Sequence, residues 1–166
     1  KIIEIGTELG SDVPACLISK DIKLKGYGKE ITRNKIPTNY YFIIVNPNVE
    51  LSTKDVFENY TNFENVKYKT EKIFFEKIRI YNSLLSPATS LVPEISNIIN
   101  KLKKIPNIVA YGMTGSGSTC FGIIRNSSNI SDIKMYFNKK YFFWYGRKAN
   151  YNLNRVCCSN MLEFKF

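Results

Sequence analysis

MTGSGSTCFGII, residues 113–124, holds three of the chain's nine glycines, with two serines and two threonines; it follows the apolar run 107–111 and ends in a second one, 119–124. Two physical readings fit. A hairpin turn uses glycine because it adopts positive φ without steric cost. A phosphate cradle uses the same residues because a Cβ-free loop exposes backbone N–H groups and neighbouring hydroxyls to an anion. Either way, two strands joined here must find partners, and the rest of the chain supplies them.

Upstream, NKIPTNYYFIIVNP (34–47) carries a β-rich run, Tyr40 to Val45, bounded by proline and asparagine, and is expected to be a buried strand. YFFWY (141–145) is a further strand candidate. STKDVFENY (52–60) predicts a short helix capped by Ser52 or Thr53. EKIFFEKIRIYNSLL (71–85) and PATSLVPEISNIINKLKK (87–104) have apolar residues at three-and-four spacing and predict two helices, the second interrupted early by Pro93. Asn82 reads as the cap of that second helix. ISDIKMYFNKKY (130–141) is expected to be helical.

The first twenty residues read as a helix broken at Gly10, with a second short helix behind Ser11 and Asp12 and Pro14 in its first turn. IKLKGYGKEI (22–31) alternates around Gly26 and Gly28 and predicts a hairpin. The resulting order of strands and helices indicates an α+β fold with helices packed on a mostly antiparallel sheet. The tail from Gly146 to Phe166 has no clear period.

At 166 residues and 44% hydrophobic content the chain can bury a real core. It contains no histidine, which excludes Ser–His and Cys–His dyads and imidazole metal ligands, so proton transfer falls to carboxylate, lysine or tyrosine. Cys16, Cys120, Cys157 and Cys158 form no C-x-x-C pair, and no metal site is expected. No secretory leader and no membrane-length apolar run occur, so a cytoplasmic location is expected. The net charge of +10 raises nucleic acid or an anionic ligand as a partner. The lysines are scattered, however, and accompany an excess of Ile, Asn, Tyr and Phe, as an A/T-favouring genome produces. Specific nucleic-acid binding is therefore not expected.

Singly, each remaining motif has a plain structural reading: Asp12 as a helix cap, Phe57 and Tyr60 as packing, the glycine loop as a turn. In order, LGSDVPACL, KGYGKEI, YYFIIVNPNVELSTKDVFENY, YNSLL with VPEI, and MTGSGSTCFGII resemble the GHMP kinase superfamily. The resemblance lies with the branch that phosphorylates 4-(cytidine 5'-diphospho)-2-C-methyl-D-erythritol on its 2-hydroxyl, a step toward isoprenoid precursors, and runs from about Leu9 to about Tyr145.

It implies that residues 1–36 are the last segment of the family's N-terminal domain and 37–166 its C-terminal domain. It also implies ATP with Mg2+ as cosubstrate and cofactor, and a small cytidine-diphosphate-linked substrate. Asp12 would be the catalytic base, and Thr53, Lys54 and Phe57 would bind substrate, with Phe57 against the cytosine. Thr114, Gly115, Ser116, Gly117 and Ser118 would form a loop near the nucleotide phosphates.

The family's main phosphate loop, G-x-G-L-G-G-G-S-S, does not occur in these residues. The expectation is thus an incomplete enzyme, silent alone and completed by a separate N-terminal fragment. The alternatives are a noncatalytic remnant and a basic α+β nucleic-acid-binding module.

Overall fold

The computed structural model describes residues 1–26, 28–33, 35–37, 39–61, 73–125, 130–137 and 139–147. They fall in two compact units, one within Lys1–Pro37 and one within Thr38–Lys148. Part of the expected polar connection after residue 61 and the tail beyond Arg147 lie outside the described residues.

The first unit has helices α1 (Ile2–Leu9) and α2 (Val13–Ile18) and strands β1 (Ile22–Lys25) and β2 (Glu30–Arg33). The break falls at Gly10, whose N–H donates to the Gly6 carbonyl, and Pro14 sits in the first turn of α2. The expected hairpin pairs antiparallel from Ile22 opposite Arg33 to Lys25 opposite Glu30. Ile2, Ile5, Leu9 and Leu17 are exposed in this unit.

The second unit runs β3 (Tyr41–Asn46), α3 (Thr53–Thr61), β4 (Ile73–Phe75), β5 (Ile78–Ile80), α4 (Leu85–Leu91), α5 (Glu94–Lys103), β6 (Ile108–Met113), β7 (Cys120–Ile124), α6 (Ile130–Met135) and β8 (Phe142–Arg147). Its main sheet has the order β6-β7-β3-β8, and every neighbouring pair is antiparallel. That is the split β-α-β arrangement, in which helical crossovers join β3 to β6 and β7 to β8.

Register fixes which side chains face the helices. Ile43 lies opposite Gly122 and Tyr145, and Val45 opposite Cys120 and Phe143. Ile43, Val45 and Cys120 share the core with Met113 and Ile124, and they pack with Ile95, Ile98 and Leu102 of α5, all three of these helix residues fully buried. Their spacing of three and four residues is why α5 forms: one stripe of the helix enters the core. Cys120 belongs to this core, and burial pushes its thiol up to about 12, so it packs as a small apolar residue.

One expectation is overturned. The stretch expected as a helix over 71–85 is, from Ile73 to Ile80, the two-stranded hairpin of β4 and β5, with Phe75 opposite Ile78. Glu76 takes the left-handed φ of 54° that its two-residue turn requires. Distant residues hold the turn. The Tyr40 hydroxyl donates to the Glu76 carboxylate, the Arg125 guanidinium donates to the Tyr40 oxygen at 3.2 Å, and the Tyr40 and Phe75 rings meet edge to face at 4.9 Å. KIFFEKIRI satisfies both a two-residue and a helical period, and these tertiary contacts select the first.

Candidate functional site

Between β6 and β7 the chain closes on itself twice. The Thr114 N–H donates to the Thr119 carbonyl at 2.9 Å, and the Gly117 N–H donates to the Thr114 carbonyl at 3.0 Å. Gly117 is held at φ +98°, and a Cβ there would lie 2.9 Å from Met113 Sδ and 3.1 Å from Leu51, so glycine is required both by angle and by space. At Gly115, with φ +51°, nothing lies within 4 Å of a built Cβ; that side of the loop is open. Among the described residues the backbone N–H groups of Gly115, Ser116 and Ser118 have no acceptor.

Side chains from three other elements hold this loop. The Ser118 hydroxyl is buried and donates to the Val49 carbonyl at 3.0 Å. Asn46, the last residue of β3, donates from Nδ2 to Thr119 Oγ1 at 2.8 Å, while its Oδ1 accepts the Asn48 N–H at 2.7 Å. Asn82 donates from Nδ2 to the carbonyls of Met113 and Gly115 at 2.9 and 2.8 Å, and its Oδ1 accepts the Leu84 N–H at 2.9 Å. Asn82 therefore closes the turn before α4, near its expected capping role, and also clamps the loop. Neither Asn46 nor Asn82 stands out as a loop clamp from sequence; only their partners, more than thirty residues later, give them that role.

Asn82→Leu removes all three of the Asn82 bonds at nearly constant volume. At roughly 0.5–1.5 kcal/mol each, the expected loss is about 2 kcal/mol in a urea titration, with faster exchange of the hydrogen-bonded Thr114 and Gly117 amides.

Helix α3 meets the loop at its first residue. The hydroxyl oxygens of Thr53 and Ser116 are 2.9 Å apart. Ser52 is the residue that caps, its hydroxyl accepting the Asp55 N–H at 3.3 Å, so Thr53 keeps its hydroxyl for the loop. Phe57 lies four residues on, on the same side of the helix as Thr53, and is 53% exposed. Lys54 reaches Glu58 at 3.7 Å, a solvent-exposed pair of little energetic weight. Thr53, Phe57 and Thr114–Ser118 thus gather on one end of the second unit, and the Ser118 side chain is turned inward.

Asp12 belongs to the first unit. Its backbone begins α2, with its carbonyl accepting the N–H groups of Ala15 and Cys16 at 3.1 and 3.3 Å, but its carboxylate makes no capping bond. The carboxylate accepts the Ser11 hydroxyl at a marginal 3.5 Å. The purely structural reading of Asp12 as a side-chain cap does not hold; the carboxylate is exposed. The backbone beneath it is fixed by Gly28, where φ is +82° and a Cβ would lie 2.4 Å from the Ser11 carbonyl oxygen. Gly28→Ala is therefore expected to cost this unit about 2 kcal/mol and to raise amide exchange around residues 11–16. An unchanged exchange profile would show that the hairpin turn does not brace the helix start.

Among the described residues, no cluster of three or more His, Cys, Asp or Glu side chains could hold a metal ion, and no helix is long and apolar enough to cross a membrane.

Residues 68–142 match the family model for the C-terminal region of GHMP kinases. The 4-diphosphocytidyl-2-C-methyl-D-erythritol kinase of Ehrlichia chaffeensis (strain ATCC CRL-10679 / Arkansas) is 35% identical over 138 residues, covering 78% of this chain and 49% of that protein. The protein of the same name from Wolbachia sp. subsp. Brugia malayi (strain TRS) is 34% identical over 151 residues, covering 86% and 52%. The chain spans about half the length of the curated relatives it matches. A crystal structure of 4-(cytidine 5'-diphospho)-2C-methyl-D-erythritol kinase shares the fold at a TM-score of 0.68 and 20% identity, over 89% of this chain and 56% of that one.

Proposed function

We propose, from the match of residues 68–142 to the C-terminal region of GHMP kinases, that the chain forms part of an ATP-dependent kinase acting on the 2-hydroxyl of 4-(cytidine 5'-diphospho)-2-C-methyl-D-erythritol. The observation that carries the reading is the glycine loop: three backbone N–H groups without acceptors among the described residues, with the Thr53 and Ser116 hydroxyls alongside. Phosphoryl transfer asks for positioning and neutralisation of phosphate charge, and such donors supply both.

In this reading Asp12 accepts the proton of the attacking hydroxyl. Its carboxylate is exposed and makes no capping bond, as a base must be before substrate arrives. Phe57 offers its exposed ring to the cytosine, a contact worth about 1–3 kcal/mol per base. Lys54, in its weak pair with Glu58, is a cation that the substrate diphosphate can draw away. The loop of Thr114, Gly115, Ser116, Gly117 and Ser118 faces the nucleotide phosphates, with the N–H groups of Gly115, Ser116 and Ser118 as its backbone donors. The residues fit a magnesium ion carried on those phosphates, where it supplies charge neutralisation, better than one caged by protein ligands alone. A small-molecule partner, no specific nucleic acid and a cytoplasmic location belong to the same reading. Its domain assignment is that residues 1–36 belong with an N-terminal domain and 37–166 form the C-terminal one.

The test is transfer of labelled γ-phosphate from ATP to the cytidine-diphosphate substrate. The chain is assayed alone and co-expressed with the half of the Ehrlichia chaffeensis relative that it does not span. Product in the second assay is the expected result. A soluble, stably associated pair that yields no product would overturn the proposal.

A further inference from the structure

Between the hairpin of β4 and β5, helix α5 and strand β6 lies a cavity of about 470 Å³, within the range that holds small organic ligands. Ile80, Leu85 and Ile99 give it aliphatic walls, and Tyr81, Tyr111 and Phe121 add three aromatic rings. Gly112 shapes one side. It pairs with Phe121 across the strands, and a Cβ on it would stand 3.0 Å from the Phe121 ring and 3.5 Å from Ile80. A glycine in mid-strand thus lets the ring approach the β6 backbone, and the surface beside that ring carries no side chain of its own.

The geometry points to a second binding site, for a neutral, flat aromatic molecule with one hydrogen-bonding group, seated between hairpin and helix. Ring-on-ring contacts favour such a ligand over an aliphatic one of equal size, because each aromatic pair contributes beyond the area it buries. Asn100, exposed on α5 in the lining, offers a carboxamide that both donates and accepts, which suits the one polar group. Charge in the ligand is not called for. Arg79 and Lys103 also line the cavity, but each is already engaged by a partner, and no carboxylate lines it among the described residues. Asn82 and Gly115 belong to the same lining, and Asn82 is the clamp of the glycine loop. An occupant therefore packs against that clamp, and its binding is coupled to the order of the loop. The site stands on the cavity alone and does not require the kinase reading.

Three probes of one skeleton test it: 2-naphthol, its saturated counterpart decahydro-2-naphthol, and the anion 2-naphthoate, each titrated against the full chain and followed by amide and carboxamide shifts. The expected result is that 2-naphthol binds about tenfold tighter than decahydro-2-naphthol and no more weakly than 2-naphthoate, with shifts centred on Gly112, Gly115 and the Asn100 side chain. At saturating 2-naphthol the hydrogen-bonded Thr114 and Gly117 amides are expected to exchange about threefold more slowly. Ile99→Trp fills the cavity and is expected to weaken 2-naphthol about tenfold. Tyr81→Leu, at a side chain 61% exposed, keeps the core intact should the tryptophan not fold. It is expected to weaken 2-naphthol about fivefold and to leave decahydro-2-naphthol within about twofold. Equal affinity for 2-naphthol and its saturated counterpart, tighter binding of 2-naphthoate, or 2-naphthol affinity that persists in both variants would overturn the site, whether or not the kinase assay succeeds. Binding that left Thr114 and Gly117 exchange unchanged would overturn its coupling to the loop.

Discussion

Asp12→Asn is expected to lower phosphoryl transfer by roughly 10²–10⁴-fold in the co-expressed pair while leaving both substrates' affinities within a few-fold. The size follows from the role assigned. A general base contributes in that range, and asparagine cannot accept the hydroxyl proton at neutral pH. The structural side of the substitution is small, because the Asp12 carboxylate makes no capping bond to α2 and asparagine is as good a residue at a helix start. Melting of the variant should therefore coincide with that of the parent. A single-turnover measurement separates chemistry from product release, and there the full loss should appear. Parental turnover in the Asn variant would reduce Asp12 to a surface residue; a loss that tracked a lowered melting temperature would assign it to folding.

How much of this was legible beforehand depended on how far each signal reached along the chain. The stripe Ile95, Ile98 and Leu102 declares a helix locally, and the structure buries all three completely. The Tyr40–Val45 run and the two runs flanking the glycine loop declare strands in the same way, and they pair as β3, β6 and β7. KIFFEKIRI failed because its local signal is degenerate. What settles it is Tyr40 and Arg125, some 35 and 50 residues away, gripping the turn at Glu76.

The site divides along the same line. Glycine's need for positive φ in the loop was readable, and Gly115 and Gly117 meet it. That Ser118 would turn its hydroxyl to Val49, or that Asn82 would reach the carbonyls of Met113 and Gly115, depends on long-range pairing that no local pattern encodes.

That dependence of loop on core can be measured at Ile95. This side chain is fully buried in the first turn of α5, and its Cδ1 lies 3.5 Å from the position a Cβ on Gly117 would take. Ile95→Ala removes three carbons from a packed interior and leaves a void under the loop. Substitutions of this kind cost about 2–5 kcal/mol, and a site pressed against sheet and loop has little freedom to collapse, so the upper half of that range is expected. Such a loss is a large share of the roughly 5–15 kcal/mol that holds a small domain together. Urea unfolding should show a lowered midpoint at unchanged slope, since the surface exposed on unfolding barely changes. Met135→Ala, at a side chain 83% exposed on α6, is the matched control and should stay within about 0.5 kcal/mol. The loop should respond as well: with Gly117 no longer pressed by Ile95, its amide and that of Thr114, both hydrogen-bonded within the loop, should exchange faster than the change in global stability alone accounts for. If Ile95→Ala cost no more than the Met135 control, the packing of α5 beneath the loop would not be what holds the glycine loop in place.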